Sequence, residues 1–259
     1  KDFAEHTSRG YADYWLAFDV ATLARHARLV RQAERERAPL TVDTRVDRAR
    51  GVTEVLIYTA DHPGLFSRLC GAMALAGANI AGAQICTMSN GMALDTFLLQ
   101  SPGADGSGGQ AALRPERVAR LSTHIEQALS GRIRLRDALS KRPAIASRTR
   151  VFRVPPRVLI DNSASANATL IEVNGRDRTG LLFELTSALT ALGLSIATAK
   201  IATYGERVVD VFYVKDVFGH KVDQDAKLKR IRERLLVVLT DPDERAGDDG
   251  QCGCGRPAR

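Results

Sequence analysis

"RDRTGLLFELTSALTALGLSIATAKIATYGERVVDVFYV" runs from Arg176 to Val214, and its cadence is already present in "ADHPGLFSRLCGAMALAGANIAGAQICTMSNGMALDTFLL", Ala60 to Leu99. Asp61 and Asp177 align at an offset of 116, and so do Gly64/Gly180, Leu65/Leu181, Leu69/Leu185, Ala72/Ala188, Gly77/Gly193, Ile80/Ile196, Ala83/Ala199 and Ile85/Ile201. Asp95 and Asp210 align at 115, because the second hairpin is one residue shorter. Similarity at a fixed spacing over some forty residues marks one supersecondary unit used twice.

In the first copy, residues 53–60, "TEVLIYTA", are β-branched and apolar and read as a strand. Asp61, Pro63 and Gly64 break it, and Leu65, Leu69, Ala72, Met73 and Ala76 then recur at helical spacing up to Gly77. "NIAGAQICTM" is a second strand, "SNG" a hairpin turn and "MALDTFLLQ" a third strand. "RPERVARLSTHIEQALSG" is an amphipathic helix with Pro115 in its first turn and Gly131 past its end. The second copy repeats this with a strand over 169–174, a helix from Thr179 to Leu192, strands over 195–203 and 207–214 about a "YGE" turn, and a helix from Gln224 to Leu239. Each copy is thus βαββα, one strand short of the βαββαβ ferredoxin-like unit. "RVLID", Arg157 to Asp161, is expected to supply that strand to the first copy, which leaves the second incomplete or borrowing one. Tyr14 to Arg37 reads as helix, and "LTVDTRVDRARG" behind it has only short alternation. The expected organisation is a helical connector over 1–50, a first α+β domain with a long basic insertion over 51–162, a second over 163–240 and a polar, disordered tail over 241–259.

Composition is that of an ordinary soluble globular chain: 44% hydrophobic and 26% charged over 259 residues. No apolar run is long enough to cross a membrane. The start, "KDFAEHTSRGYADYW", has no apolar signal region and reads like the middle of a longer chain. Four scattered cysteines, Cys70, Cys86, Cys252 and Cys254, make no disulfide framework and fit a reducing cytoplasm. The net charge of +7 is concentrated: residues 111–160 hold 12 Lys/Arg against 3 Asp/Glu, so the rest of the chain is slightly acidic. That segment lacks the aromatic platforms of a nucleic-acid surface and reads as a solvated helix and linker, so no nucleic-acid partner is expected.

Chemistry is expected at the bend that opens each repeated helix. A helix N-terminus presents unpaired backbone N–H groups and a partial positive charge, and an upstream Asp can cap it. Gly64 and Gly180 have no Cβ, so another molecule can approach the main chain closely, and a small carboxylate is a natural guest. The strand beginning at Asn79 or Ser195 can face the same bend of a neighbouring copy, where an Asn amide can hold an amino acid by both its acceptor and donor sides.

"DHPGLFSRLCGAMALAGANI" and "DRTGLLFELTSALTALGLSI" resemble ACT domains, small ferredoxin-like modules that bind amino acids and regulate the enzymes carrying them. The tandem pair, with "VPPRVLIDNSAS" between copies and "IEVNGRDRTGLLFELT" opening the second, is similar to the C-terminal end of the bacterial PII uridylyltransferase/uridylyl-removing enzymes over about residues 50–240. "YADYWLAFDVATLARHARLV" looks like the connector that follows the HD domain in that family. The resemblance implies a glutamine sensor that shifts the parent enzyme between uridylylating the PII signal protein and removing the uridylyl group. It implies ligand residues Asp61, His62, Pro63, Gly64, Leu65, Asn79 and Ile80 in the first copy, and Asp177, Arg178, Gly180, Leu181, Ser195 and Ile196 in the second. His62 and Ser195 stand where such motifs more commonly carry Arg and Asn. It also implies that ACT modules pair within or between chains. The alternative is a free-standing tandem ACT protein that senses another amino acid.

No catalytic residue or metal site is expected in the chain itself. Gly106–Ser107 is followed by Gly-Gly-Gln, without the paired D-x-D that holds Mg²⁺ in a nucleotidyltransferase, and Asp241-Pro-Asp243 reads as the end of a helix. None of the five histidines precedes an Asp, as an HD hydrolase requires. Cys252 and Cys254 offer two thiolates where a structural zinc site wants four ligands. The Mg²⁺ that the resemblance implies is therefore expected in a catalytic region absent from this chain.

Overall fold

The computed structural model describes residues 2–101, 111–141, 154–204 and 207–240. The loop at 102–110, the part of the basic segment at 142–153, the centre of the "YGE" turn and the tail with its two cysteines lie outside the described residues.

Three helices come first: α1 (Asp2–Arg9), α2 (Ala12–Ala17) and α3 (Val20–Glu36). The helical run read from Tyr14 onward is broken at Phe18–Asp19, because Asp19 caps α3 by accepting the Thr22 N–H at 2.7 Å. Then follow β1 (Leu40–Asp47), β2 (Val52–Ala60), α4 (Leu65–Leu75), β3 (Asn79–Gln84), β4 (Met92–Gln100), α5 (Pro115–Leu129) and α6 (Leu135–Ser140). The second copy contains β5 (Arg157–Asp161), β6 (Thr169–Arg176), α7 (Leu181–Ala191), β7 (Ser195–Tyr204), β8 (Arg207–Lys215) and α8 (Asp225–Leu239).

The eight strands of the described residues form one antiparallel sheet in the order β1-β2-β4-β3-β7-β8-β6-β5. The order reads the same from both edges once the copies are exchanged. The two half-sheets meet where Gly82, Ala83 and Gln84 of β3 pair with Ala202, Ile201 and Lys200 of β7, so the ACT-like units pair side by side within one chain. Both β3 and β7 carry an irregularity two residues in, at Ile80/Gly82 and at Ile196/Thr198.

The edge strands correct the sequence reading. "RVLID" does not complete the first copy: β5 pairs with β6 of the second, Val158 opposite Val173 and Ile160 opposite Ile171. The first copy is completed by β1, which the boundary at residue 50 had placed with the helical connector. It pairs with β2 from Leu40/Thr59 to Asp47/Val52. Each unit is therefore ββαββα, with the edge strand arriving before the unit rather than after it. A short antiparallel hairpin closes a small loop at little entropic cost, whereas returning from α8 would require a long crossover.

Helices α4, α5, α7 and α8 cover one face, and a single apolar core lies beneath them, from Val55, Ile57, Phe97 and Leu69 in the first copy to Leu185, Ile171, Phe212 and Leu235 in the second. The two central helices touch, with Ser67 Oγ and Ser187 Oγ 2.7 Å apart. The other face of the first copy is covered by α3 and the chain before it: Leu56, Tyr58 and Leu94 pack there against Tyr14, Leu29, Val30 and Ala33. Successive β2 residues thus alternate between two cores, so the strand reads as an unbroken apolar run.

Candidate ligand-binding clefts at the junction of the two copies

Each repeated bend is a type II turn. The Leu65 N–H donates to His62 O at 3.0 Å, with Pro63 and Gly64 as the central residues and Gly64 at φ +83°, ψ 1°. In the second copy Leu181 N–H donates to Arg178 O at 3.0 Å, and Gly180 sits at φ +84°, ψ −3°. These angles are open to glycine at no steric cost, which explains its presence at both positions. The next backbone bonds run from Arg68 N–H to Gly64 O and from Glu184 N–H to Gly180 O, both 3.0 Å. The N–H groups of Phe66 and Ser67, and of Leu182 and Phe183, fall between these bonds at the mouths of the helices, where no intrahelical partner exists.

The expected aspartate caps are absent: neither α4 nor α7 has a side-chain cap. Asp61 instead accepts from Thr87 Oγ1 at 2.6 Å, and its own N–H donates to Gly91 O at 3.1 Å, which ties the bend to the β3–β4 hairpin. The type II turn carries the chain out along the helix axis, so the carboxylate is spent on the neighbouring hairpin. Burial raises the pKa of Asp177 above the ordinary carboxylate value, and the adjacent Arg178 opposes that rise.

The two bends face the opposite copy. One cleft, A, of about 350 Å³ including the solvent at its mouth, sets Asp177, Arg178 and Gly180 against Asn79 and Ile80. The other, B, of about 370 Å³, sets Asp61, His62, Pro63, Gly64 and Leu65 against Ser195 and Ile196. The residues predicted from the sequence are therefore gathered, but crosswise: each bend meets the strand start of its partner copy. Leu181 is buried at the start of α7 and is the one predicted residue that lines neither cleft.

The clefts differ in charge and depth. In A, the Arg178 guanidinium is held by both oxygens of Glu184, at 2.8 and 2.6 Å, and by Val238 O at 3.1 Å. In B, His62 is exposed, with Nδ1 3.1 Å from Pro63 O. Ser67 lines B where Phe183 lines A, and B alone extends to Ile85 and to a buried acid, Asp95. Asp95 is only 1% exposed and its pKa is pushed well above the carboxylate range by burial, with the Asp61 charge adding to the rise. Its Oδ1 accepts the Cys86 N–H at 3.3 Å, and its Oδ2 has no hydrogen-bond partner among the described residues. Asp210, also 1% exposed, repeats the arrangement on the Ala202 N–H with Oδ1 unpartnered, and burial lifts its pKa to about 8. The sequence reading aligned this pair without assigning it a role. The available signal was a lone acid on the inward face of an apolar strand, "MALDTFLL" and "RVVDVFYV", at matching positions of both copies.

Among the described residues no group of three or more His, Cys, Asp and Glu is placed to hold a metal ion, and no helix is long and apolar enough to cross a membrane.

The family model for the ACR family N-terminal ACT domain matches residues 164–240. The bifunctional uridylyltransferase/uridylyl-removing enzyme of Azospirillum brasilense is 60% identical over 242 residues, covering 93% of this chain and 26% of that protein. Its counterparts in Gluconobacter oxydans and Rhodospirillum rubrum are 50% and 48% identical, covering 89% and 93% of this chain and 24% and 25% of those proteins. The chain thus spans about a quarter of the length of these relatives. It carries an ACT-type unit twice in a single sheet, the second copy matched directly by that family model, and it corresponds to about a quarter of the bifunctional uridylyltransferase/uridylyl-removing enzymes to which it is similar.

Proposed function

We propose that the chain is an amino-acid-sensing regulatory region, that clefts A and B take glutamine, and that their occupancy sets the balance between uridylylation and deuridylylation of the PII signal protein by a longer cytoplasmic enzyme. The observation that carries this reading is the crosswise pairing of each glycine bend with the strand start of the other copy. A carboxylate at the bend meets main-chain N–H groups and the positive end of a helix dipole, while the rest of the ligand lies against the partner copy. Any ligand filling such a cleft contacts both units, so binding acts on their relative placement, and a coupling of about 1–3 kcal/mol is the usual size of such regulation. The uridylyl chemistry, and the Mg²⁺ that would serve it, belong in this reading to portions of the enzyme outside this chain.

Calorimetric titration of the 259-residue chain with L-glutamine, beside a thermal-shift screen of the other amino acids, tests it. Glutamine is expected to give heat and to raise the melting temperature, since ligand at 100 times its Kd adds about 2.7 kcal/mol of stability. No heat and no shift with glutamine overturns the reading. A shift with a different amino acid alone favours a tandem ACT sensor of that compound.

A further inference from the structure

The two clefts share their bend and their strand start, yet only B reaches a fully buried acid on a central strand. Asp95 lies there 1% exposed, one oxygen on the Cys86 N–H and the other with no partner among the described residues. Leaving a buried polar atom unpaired is costly, so a structure that keeps one at the end of a cleft gains from any guest that satisfies it. The surroundings specify the guest. The Asp61 charge at the bend acts on Asp95, the exposed His62 beside it lies at the rim, and the buried thiol of Cys70 on α4 stays protonated. The partner copy contributes Thr190, Leu194, Ser195 and Ile196, none of which ionises, and among the described residues no Lys or Arg lines the cleft. Two carboxyl groups and no fixed cation make B a receptor for positive charge, while its N–H groups at the helix mouth take negative charge. An amino acid carries both within a few ångströms.

We infer, resting on the amino-acid reading of the clefts, that Asp95 receives the α-ammonium group of the amino acid bound in cleft B, and that this contact makes B the discriminating site of the pair. Asp210 has the same burial and the same backbone bond but does not line cleft A, where Phe183 occupies the position of Ser67. Cleft A consequently has no counterpart of Asp95: the acid that lines it, Asp177, is half-buried at the bend beside the Arg178 guanidinium. The proton balance follows. Before binding, Asp95 is a neutral carboxylic acid. When the ammonium arrives, the O–H proton leaves to solvent, the carboxylate forms, and a charge-assisted N–H···O bond replaces the orphaned oxygen.

The test is titration calorimetry of the 259-residue chain with L-glutamine at pH 7 in phosphate and in Tris, whose ionisation enthalpies differ. The expected result is release of about one proton per ligand bound in B. Asp95→Asn is expected to abolish the release and weaken glutamine binding by about tenfold or more, the loss of one charge-assisted bond. Asp210→Asn, which removes the same buried acid away from the clefts, is expected to leave both unchanged. N-acetylglutamine, whose amine is capped, is expected to fail in B. This arm separates the amine from the side-chain amide as the donor. Glutamine binding without proton release, or Asp95→Asn binding like the unaltered chain, overturns the inference and leaves the amino-acid reading intact. Absence of glutamine binding to the unaltered chain overturns both. If Asp95→Asn does not fold, the proton count on the unaltered chain decides the matter.

Discussion

A carboxyl group sealed beneath a helix with one oxygen on a backbone N–H and the other facing apolar atoms holds its proton far above the ordinary carboxylate pKa, and that retention is a statement about stability. Asp210 titrates near pH 8 in the fold and near 3.8 in the unfolded chain, so between those values the folded state binds the extra proton and stability falls as pH rises. His26 works in the opposite sense. Wholly buried, with Nδ1 2.9 Å from Tyr14 Oη and Nε2 3.2 Å from Thr96 Oγ1, it is held neutral down to about pH 3. Between pH 3 and 6.5 the unfolded state binds the extra proton there, and stability falls as pH drops. The two effects oppose one another in mild acid, and above pH 6.5 only the acids remain. The melting temperature is therefore expected to fall from pH 6.5 to 8, and Asp210→Asn to flatten that fall, as followed by thermal unfolding in a pH series. An unchanged slope would mean that Asp210 is already ionised in the fold. The glycine bends supply a second residue-scale case. A Cβ on Gly180 meets nothing within 4 Å, so Gly180→Ala isolates the cost of a left-handed backbone at φ +84°. A loss of about 1–2 kcal/mol in urea unfolding is expected from that strain.

At the scale of elements, the edge strands and the connector decide what holds the first copy. Arg25 on α3 donates from Nε to Asp43 of β1 at 2.6 Å and pairs through Nη1 with Glu54 of β2, which is 6% exposed. One side chain thus fastens a helix to both strands of a hairpin. Removing one partner of a buried pair costs about 3–5 kcal/mol, and Arg25→Ala is expected near the lower figure because Arg45, 3.2 Å from Glu54, remains to share its charge. Chemical denaturation measures the loss, and early proteolysis after α3 would show that this ion pair, rather than the apolar contacts of Leu29 and Val30, fastens the connector. These same elements mark where the sequence stopped being legible. The repeated βαββα was readable because Leu65, Leu69, Ala72 and their counterparts keep helical period and the strands around them are apolar. β1 was not, because "LTVDTRVD" is half-exposed, its Asp43 and Arg45 side chains serve ion pairs, and only Leu40 and Val42 pack on the core. "RVLID" was legible as a strand but not as the partner of β6, since pairing depends on which hairpin closes first and five residues carry no record of that. The candidate ligand residues were legible as chemistry. A strand start facing the bend of a neighbouring copy was legible too, but not that the neighbour is the other copy of the same chain, because that depends on β3 lying beside β7.

At the scale of the molecule, the sheet is continuous across the copies and the core beneath it is shared, so neither unit can open without exposing the flank of the other. The connector joins this body through a different surface. Its Tyr14 is bonded to both His6 and His26, and His26 reaches β4 at Thr96, the residue next to Asp95. Consecutive residues of a strand point to opposite faces, so Asp95 looks into cleft B while Thr96 looks toward the connector. A ligand that draws on Asp95 thus acts on a strand whose other face carries the buried histidines. Whether connector and sheet are one thermodynamic body can be read directly, because the chain has a single tryptophan, Trp15, whose indole N–H bonds to Gly10 O at 3.1 Å and whose ring packs on Tyr14 and His6. Trp15 emission reports α1–α3, and far-UV circular dichroism reports the whole sheet and its helices. Coincident urea transitions in the two signals are expected, since the Arg25 ion pairs, the Tyr14–His26–Thr96 bonds and the Ser89 N–H to Arg9 O bond at 3.0 Å all couple the layers. A Trp15 transition that comes first, with most of the dichroism intact, would make the connector a separate unit. Motion at the clefts would then have no packed route into the helices that precede them.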